Sequence, residues 1–345
     1  MAPPLRECDY GNIPPRMKDE SDPRVADLEQ QLKRAKQELT ALRRESPSVA
    51  VLRSSFAHRV GTLRARLAAA ARSPDDDVLR RTSNAYGAVL AEQSAKPSSM
   101  LRTTLDGLTW WHPEGTVEDQ RFPYRVILQT REVAVGGIML DLGAHVGRMA
   151  IPRVILGDAW RAYCAEPDPV TYACLARNVL DNGLRGVVLP DQTAISDRDG
   201  TVPLLRQGSP GNFRVVSNAR GGRTIDVPCC TLDTWVARLE IDLDAVTFVK
   251  VDVEGFERRL LAGATRVLSR RHIAWQMEIK PAGLRAAGDD PRELYAELAR
   301  TFTHFVDLNR RAAGKRVRPV AELPDALQYI EPDAKTDVLV FCADV

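Results

Sequence analysis

The feature that most constrains the fold is an alternation of short apolar segments with helical stretches between residues 138 and 342. The apolar segments predict strands at residues 138–141, 162–165, 187–189, 202–205, 224–229, 247–251, 273–279, 304–307 and 338–342. Helices are predicted between several of them, at 169–182, 232–239 and 256–268. Strands that alternate with helices form a mostly parallel sheet with helices on both faces. The sequence therefore predicts an α/β, Rossmann-like fold, whose ligands bind at the carboxyl ends of the strands.

Composition narrows the class of protein. The 345 residues are 44% hydrophobic and 27% charged, and the formal net charge is only +2. A chain of this length holds one large domain with additional segments, or two domains. A dedicated nucleic-acid-binding protein would carry a basic surplus on one face, so we expect no nucleic-acid partner.

The cysteines and the apolar runs bear on the compartment. Six cysteines are scattered without a CxxC pair, which predicts reduced thiols rather than a disulfide framework. The first residues contain no apolar signal segment. No apolar run approaches the roughly 20 residues needed to cross a bilayer. We therefore expect a soluble, cytoplasmic protein without a transmembrane segment.

The N-terminal part has a different pattern. Residues 1–23 are rich in proline and charge and are predicted to be disordered, and residues 24–100 are predicted to be helical and coiled-coil-like, ending in a linker. Two apolar stripes support this: Val25, Leu28, Leu32, Ala35, Leu39 and Leu42, then Phe56, Val60, Leu63, Leu67 and Ala70. Such stripes are typical of helices that pack against one another. We expect a homodimer through these helices, with a helical hairpin as the alternative.

The first predicted strand leads into a glycine loop headed by an acid. Asp141 is followed by Gly143, Ala144 and Gly147, and the glycines allow a tight turn and a close approach to a ligand. A phosphate-binding loop would instead read GxGxxG and aim a helix N-terminus at pyrophosphate, which argues against a nucleotide-dependent oxidoreductase. A leading carboxylate suits a cationic ligand, such as the amino group and sulfonium of S-adenosyl-L-methionine.

The next two strand ends add candidate contacts. Glu166 and Pro167 follow the second predicted strand, one β–α–β step after the glycine loop. An acid at that place can accept hydrogen bonds from both hydroxyl groups of a ribose. The loop after the third strand carries a small residue, Ala194, that can meet an adenine edge.

A charged cluster follows the predicted strand at 247–251. Lys250, Asp252 and Glu254 alternate in sequence, and on an extended segment they would point to the same side. Buried charges of both signs are costly unless they are paired, so the cluster indicates a functional site. A structural ladder of salt bridges is the alternative. Glu278, on the predicted strand 273–279, is a further candidate.

The segments LDLGAHVG, AEPDP, TLDTW and FVKVDVEGFE, in this order over residues 137–282, resemble the FkbM family of methyltransferases. The resemblance implies a class I (Rossmann-like) methyltransferase fold and S-adenosyl-L-methionine-dependent O-methylation of hydroxyl groups on sugars, macrolide rings and other natural products. It implies cofactor contacts from Asp141, Gly143, Ala144, Gly147 and Glu166, and active-site roles for Lys250, Asp252 and Glu254. His145 stands where many relatives have asparagine.

The implied reaction requires that the acceptor oxygen be aligned with the methyl group and that a base remove the hydroxyl proton. Methyl transfer from a sulfonium is an in-line displacement, so the protein aligns the acceptor oxygen with the methyl carbon. Asp252 and Glu254 are the candidate general bases, with Lys250 holding one of them ionised or contacting the acceptor, and Glu278 as a further candidate. Alternatively, Asp252, Glu254 and Glu278 bind a divalent cation such as Mg²⁺, although Lys250 would weaken that site.

The predicted organisation is thus a methyltransferase domain over residues 101–345 behind the helical region. Its partner is a small-molecule or glycan hydroxyl acceptor, which the sequence does not identify. The alternative function is a catalytically inactive Rossmann-like domain in a coiled-coil scaffolding protein. The intact acids Asp141, Glu166 and Asp252 argue against that alternative.

Overall fold

The computed structural model describes residues 100–105, 108–114, 130, 136–206, 213–215, 224–308 and 317–343. The predicted disordered segment at 1–23 and the predicted coiled-coil helices before residue 100 lie outside the described residues. Within the described ranges, no helix has both the length and the apolar character needed to cross a membrane.

Strands make up the framework of the described chain. In chain order they are β1 (Met100–Leu105), β2 (Leu108–Pro113), β3 (Ile138–Leu142), β4 (Arg161–Ala165), β5 (Val188–Asp191), β6 (Ala194–Ser196), β7 (Gly200–Arg206), β8 (Phe213–Val215), β9 (Thr224–Thr231), β10 (Val246–Val251), β11 (Ala274–Ile279), β12 (His304–Asp307), β13 (Arg318–Pro319) and β14 (Thr336–Phe341). Most of the predicted strands are confirmed to within a few residues at each end.

Helices connect the strands. The α-helices are α1 (Ala150–Ile155), α2 (Pro169–Asp181), α3 (Leu232–Arg238), α4 (Glu257–Ala262), α5 (Thr265–Leu268), α6 (Pro281–Ala287), α7 (Pro291–Thr301) and α8 (Leu323–Ala326), and short 3-10 turns lie at Val320–Glu322 and Gln328–Ile330. The helix α2 begins where the sequence provides its start signals. Asp168 accepts hydrogen bonds from the backbone N–H groups of Val170 and Thr171, and Pro169 occupies the first turn.

The central sheet has eight strands in the order β13-β12-β14-β11-β10-β3-β4-β5. The strand β3 pairs in parallel with both β4 and β10, and β14 runs antiparallel to its neighbours β11 and β12. The predicted α/β, Rossmann-like fold is therefore confirmed. Because the chain runs outward from β3 in both directions, the strand order reverses between β3 and β10, and a cleft opens at their carboxyl ends.

Both faces of this sheet are buried. Along β10, Phe248 packs into the apolar cluster on one face, whereas Val249 and Val251 belong to the larger cluster on the other. Neighbouring side chains of a strand point to opposite faces, so an almost continuous apolar run is what a sheet covered on both sides requires. Lys250 is the charged exception within that run, and it lines the cleft.

A second, four-stranded sheet has the order β6-β9-β7-β8. The predicted strands at 202–205 and 224–229 belong to this sheet and not to the central one, a division that the sequence pattern did not reveal. Strand β7 runs antiparallel to both β8 and β9. Antiparallel neighbours such as these do not need the crossover, usually helical, that joins parallel strands, because short turns can connect them.

The single helix predicted at 256–268 is wrong: the chain forms α4 and α5 with a break at Gly263. A Cβ atom at Gly263 would lie 2.5 Å from the backbone oxygen of Ser196, so this turn packs closely on β6. The carboxylate of Asp233 then accepts hydrogen bonds from the backbone N–H groups of Arg266 and Val267 and starts the second helix. Glycine weakens a helix interior, which permits the break.

The hairpin of β1 and β2 packs on α2. The backbone N–H of Thr109 donates to Asn182 Oδ1 at 2.9 Å, and the indole N–H of Trp111 donates to Asp181 Oδ2 at 2.7 Å. Asn178 is fully buried and bonds both Trp111 and the carbonyl of Val146, which lies in the loop after β3. The hairpin is thus tied to the helix that supports the cleft.

Candidate active site

A pocket of about 330 Å³ lies at the carboxyl ends of β3, β4 and β10. Most of the predicted site residues line it: Asp141, Gly143, Ala144, His145, Glu166, Pro167, Ala194, Lys250, Asp252 and Glu254. Residues that are far apart in the sequence meet here because parallel strands end at the same edge of the sheet.

Two predicted residues do not line the pocket. A Cβ atom at Gly147 would lie 2.7 Å from Leu175 Cδ1 and 2.8 Å from Ile151 Cδ1, so this glycine packs the loop against α1 and α2. The structure therefore places Gly147 behind the loop and not at the ligand surface. Glu278, at the end of β11, is almost fully buried and lies beside the pocket acids without facing the cavity.

Several backbone N–H groups of the loop after β3 donate hydrogen bonds within the protein. The N–H groups of Gly143 and Ala144 donate to the carbonyl of Ala165 at 2.9 and 3.0 Å, and the N–H of Gly147 donates to the carbonyl of Ala144 at 2.9 Å. A phosphate-binding loop would leave such groups free for an anion. The geometry therefore agrees with the sequence argument against a pyrophosphate cradle.

His145 adopts the left-handed backbone conformation, with φ +51°. Among non-glycine residues, asparagine, aspartate and histidine adopt this conformation most readily. Histidine is therefore a residue type that suits the backbone conformation of this loop. The conformation turns the backbone N–H of His145 toward Glu166, whose Oε2 accepts the hydrogen bond at 2.8 Å.

Asp141 is the deepest acid of the pocket. The residue is 1% exposed, and its Oδ2 atom is buried with no hydrogen-bond partner among the described residues. Burial raises the pKa of this carboxyl to about 6, although the charge of Lys250 opposes the shift. A buried, unpaired carboxylate oxygen is costly, so Asp141 is suited to receive a donor from a ligand.

Glu166 is held by two backbone donors. Its Oε1 accepts from the N–H of Asp168 at 2.9 Å, and its Oε2 accepts from His145. Each carboxylate oxygen has further lone pairs, so the group remains able to accept from a ligand in the pocket. Burial raises the pKa of Glu166 to about 8. The two fixed hydrogen bonds set the orientation of this acid before any ligand binds.

Lys250 is a buried cation paired with Asp252. Its Nζ lies 3.1 Å from Asp252 Oδ2 and donates to the carbonyl of Val251 at 3.2 Å. Burial lowers the pKa of Lys250, but the charges of Asp252, Asp337 and Glu278 outweigh it, and the net pKa is well above its usual value. Lys250 therefore stays protonated and stabilises the charge of Asp252.

The prediction that Lys250, Asp252 and Glu254 alternate along one extended segment is wrong beyond Asp252. Strand β10 ends at Val251, and Glu254 has φ +51°, in the left-handed region. A turn, not the pleat of a strand, brings Glu254 to the pocket. Such conformations are costly for residues other than glycine and concentrate at functional sites. The next residue, Gly255, has no room for a side chain, because a Cβ atom would lie 2.4 Å from the carbonyl oxygen of Gly283.

Asp252, Glu254 and Glu278 form a cluster in which one oxygen of each lies within 4.8 Å of the others. Each carboxylate also has an ammonium partner: Lys250 for Asp252 at 3.1 Å, Lys280 for Glu254 at 3.4 Å and Lys335 for Glu278 at 2.7 Å. Burial raises the pKa of Glu278 to about 7, and the charge of Asp252 adds to the shift. The oxygen spacing suits a divalent cation, but three ammonium groups offset the negative charge that would bind one.

Sequence reasoning missed several residues of the site. Arg148 and Met149 follow the glycine loop, and Leu204 reaches the pocket from the second sheet. Glu257, the last acid of the FVKVDVEGFE segment, is 3% exposed, and its Oε1 accepts from the backbone N–H of Gly255 at 3.1 Å. Glu257 does not line the pocket, but its place in a segment already rich in candidate acids was a usable signal, whereas no local pattern marks Leu204.

The central sheet and the pocket at the carboxyl ends of its strands define a Rossmann-like α/β fold. A family model described as "Methyltransferase FkbM domain" matches residues 141–317. The chain belongs to the FkbM family of methyltransferases, which confirms the resemblance found in the sequence.

Individual relatives were also found. The chain is 28% identical over 180 residues to the 31-O-demethyl-FK506 methyltransferase FkbM of Streptomyces tacrolimicus, across 42% of this chain and 68% of the relative. The crystal structure of the methyltransferase FkbM from Methylobacillus flagellatus matches with a TM-score of 0.38 and 18% identity, over 60% of this chain and 44% of that chain. The structure of M. jannaschii TYW2 in complex with AdoMet matches with a TM-score of 0.37 and 12% identity, over 70% of this chain and 85% of that chain.

Proposed function

We propose that this protein is an S-adenosyl-L-methionine-dependent O-methyltransferase that acts on a hydroxyl group of a sugar, polysaccharide or other natural product. The observation that carries the proposal is the meeting, in one pocket, of the acid-led loop at Asp141 with the paired acids Asp252 and Glu254. The family membership supports methyl transfer, and the name of the Streptomyces relative supports an oxygen acceptor.

The pocket residues suit this cofactor. The unpaired Oδ2 of Asp141 can accept from the amino group of the methionine part, and Glu166 can accept from the ribose hydroxyls. Ala194, Ile195 and Leu204 offer an apolar surface for an adenine. When bound, the cofactor supplies an electrophilic methyl group on its sulfonium.

Asp252 and Glu254 have different parts in the proposed reaction. The buried ammonium of Lys250 lies 3.1 Å from Asp252 Oδ2 and holds this side chain beside the glycine loop, where it orients the acceptor hydroxyl by a hydrogen bond. Glu254 lies in the same pocket, and its ammonium partner Lys280 is more exposed, so solvent weakens that pair. Glu254 is therefore the general base that removes the hydroxyl proton.

Glu278 and Lys335 stand outside the pocket and act only through their charges. Their pair lies behind Asp252 and Glu254, which keeps three carboxylates tolerable in a small volume. In this account no metal ion is needed to hold the acids apart. Activity is therefore expected to persist in the presence of a strong chelator.

We further propose that the two apolar stripes between Val25 and Ala70 join two copies of the chain. Their spacing supports helix packing, and the methyltransferase domain would begin near residue 101, behind them.

The direct test is a transfer assay with S-adenosyl-L-methionine that carries a deuterated methyl group. Sugars, polysaccharide fragments and macrolides with free hydroxyls are incubated with the intact protein, and products are analysed by mass spectrometry. The proposal predicts a labelled methyl on an oxygen of at least one acceptor class, formed at least about 10²-fold more slowly by Glu254→Gln. Labelling that occurs only on nitrogen or carbon atoms would contradict O-methyl transfer.

A further inference from the structure

Arg148 is a cation of the pocket that has no hydrogen-bond or ion-pair partner in the part of the chain that the structure describes. It follows the glycine loop directly, lines the cavity and is partly buried. Among the described residues, nothing forms a hydrogen bond or an ion pair with its guanidinium. The other basic side chain of the lining, Lys250, is already engaged with Asp252 at 3.1 Å. A guanidinium left free beside a cavity is available to an anionic group of a ligand.

Most of the other charged side chains of the pocket are acids. Asp141, Glu166, Asp252 and Glu254 all line it. A carboxylate on a ligand would be disfavoured next to any of these groups when they are ionised. The electrostatics therefore leave one favourable place for a ligand carboxylate, next to Arg148.

Most of the backbone donors at the start of the loop are already used. The N–H groups of Gly143, Ala144, His145 and Gly147 all donate within the protein, to Ala165, Glu166 or the loop itself. A backbone cradle needs such donors to be free. These four N–H groups are therefore not available to a ligand carboxylate, whereas the five N–H groups of the Arg148 guanidinium are arranged to bind one.

We propose that Arg148 binds the carboxylate of the methionine part of S-adenosyl-L-methionine, while Asp141 binds the amino group on the same carbon atom. Both residues flank one short loop, so a zwitterionic amino acid fits between opposite charges. The inference rests on the proposed function, because it takes that cofactor as the ligand. Arg148 then distinguishes ligands that carry this carboxylate from ligands that lack it.

The test compares two ligands that differ only in that group: S-adenosyl-L-methionine and its decarboxylated analogue. Calorimetry measures both affinities for the intact protein and for Arg148→Gln, Arg148→Lys and Arg270→Gln. Arg270 is a matched control, because it is an exposed arginine that pairs with Asp244 and does not line the pocket. Thermal unfolding of each variant verifies that it is folded.

A charge-assisted hydrogen-bonded pair of this kind corresponds to about a 10- to 100-fold change in affinity. Arg148→Gln should therefore weaken binding of the complete cofactor by about that factor and change binding of the analogue less than about twofold. Arg148→Lys should recover part of the loss, and Arg270→Gln should change neither affinity.

Equal losses for both ligands would overturn the inference, because they would indicate a structural role. An unchanged cofactor affinity in Arg148→Gln would also overturn it and leave the proposed function intact. If that variant instead loses turnover only with an acidic acceptor, the arginine serves the acceptor and the inference is wrong. Failure of the intact protein to bind the cofactor would overturn both proposals.

Discussion

Gly143 and the backbone carbonyl of Asp252 are in such close contact that a Cβ atom on Gly143 would lie 1.9 Å from the Asp252 oxygen. The N–H of Asp252 in turn donates to the carbonyl of Leu142 at 2.9 Å. The loop after β3 and the acid after β10 are therefore locked together. This contact fixes the distance between the proposed cofactor loop and the proposed catalytic acids.

Gly143→Ala is predicted to weaken cofactor binding strongly. The added methyl would collide with a backbone atom, and φ at this position is +78°, so the loop and Asp252 must move apart. Gly136→Ala is a matched control, because its φ is +75° but nothing lies within 4 Å of the added Cβ. Calorimetry of cofactor binding and thermal unfolding should be measured for both variants.

The two variants share the cost of a left-handed alanine, about 1 kcal/mol. Only the Gly143 variant should lose affinity, by more than about tenfold. Similar affinities for the two variants would show that the contact between the loops does not position the site.

Glu254→Gln is predicted to lower kcat and to leave cofactor affinity nearly unchanged. The amide keeps the shape of the side chain but cannot accept the hydroxyl proton, and loss of a general base costs about 10²- to 10⁴-fold in rate. Glu331→Gln is the control, since Glu331 pairs with Arg285 on an exposed surface away from the pocket. If Glu254→Gln retained full kcat, Glu254 would not be the general base, and Asp252 would be the remaining candidate.

Glu257→Gln is predicted to make the Tm of the protein change less with pH. Burial raises the pKa of Glu257 from 4.5 to about 8, so its contribution to folding is fully present below pH 4.5 and is lost as the pH rises through about 8. The Tm of the natural protein should therefore fall between pH 5 and about 8.5.

The glutamine variant carries no such titration, so its Tm should fall less over the same interval, by about 3 °C for each kcal/mol of linkage removed. Asp141, Glu166 and Glu278 also have raised pKa values and account for the slope that remains. Parallel Tm curves for the two proteins would show that the carboxyl of Glu257 ionises normally.

The intact chain is predicted to be a dimer. Replacing Leu32 and Leu39 by lysine places charges within the first apolar stripe and should give a monomer, because a coiled-coil seam does not tolerate adjacent charges. Light scattering measures the mass of both proteins. A natural protein that scatters as a monomer contradicts the prediction, and an unchanged dimer in the variant assigns the contact to another surface.

Much of the site followed from the sequence because its residues stand at the ends of strands. Asp141, Glu166 and Asp252 each come directly after an apolar segment, and a parallel sheet brings such ends to one edge. The left-handed turn at Glu254 and the break at Gly263 did not follow from periodicity. Both depend on contacts with distant chain segments, and local pattern does not contain those contacts.

The division of the strands into two sheets was not predicted, for a related reason. Strands β7 and β9 were predicted as strands, but alternation alone does not state which sheet a strand joins. Arg148 was also missed, because an arginine after a glycine loop looks like any exposed charge until the cavity beside it and the used backbone donors are known.

The most direct test of the account is calorimetric titration of the intact protein and of Asp141→Asn with S-adenosyl-L-methionine. The account predicts saturable binding of one cofactor per chain. Asp141→Asn should bind at least about tenfold more weakly, because the neutral amide lacks the charge that strengthens the hydrogen bond to the cofactor's ammonium group. Absence of binding by the intact protein, or equal affinity in the variant, would contradict it.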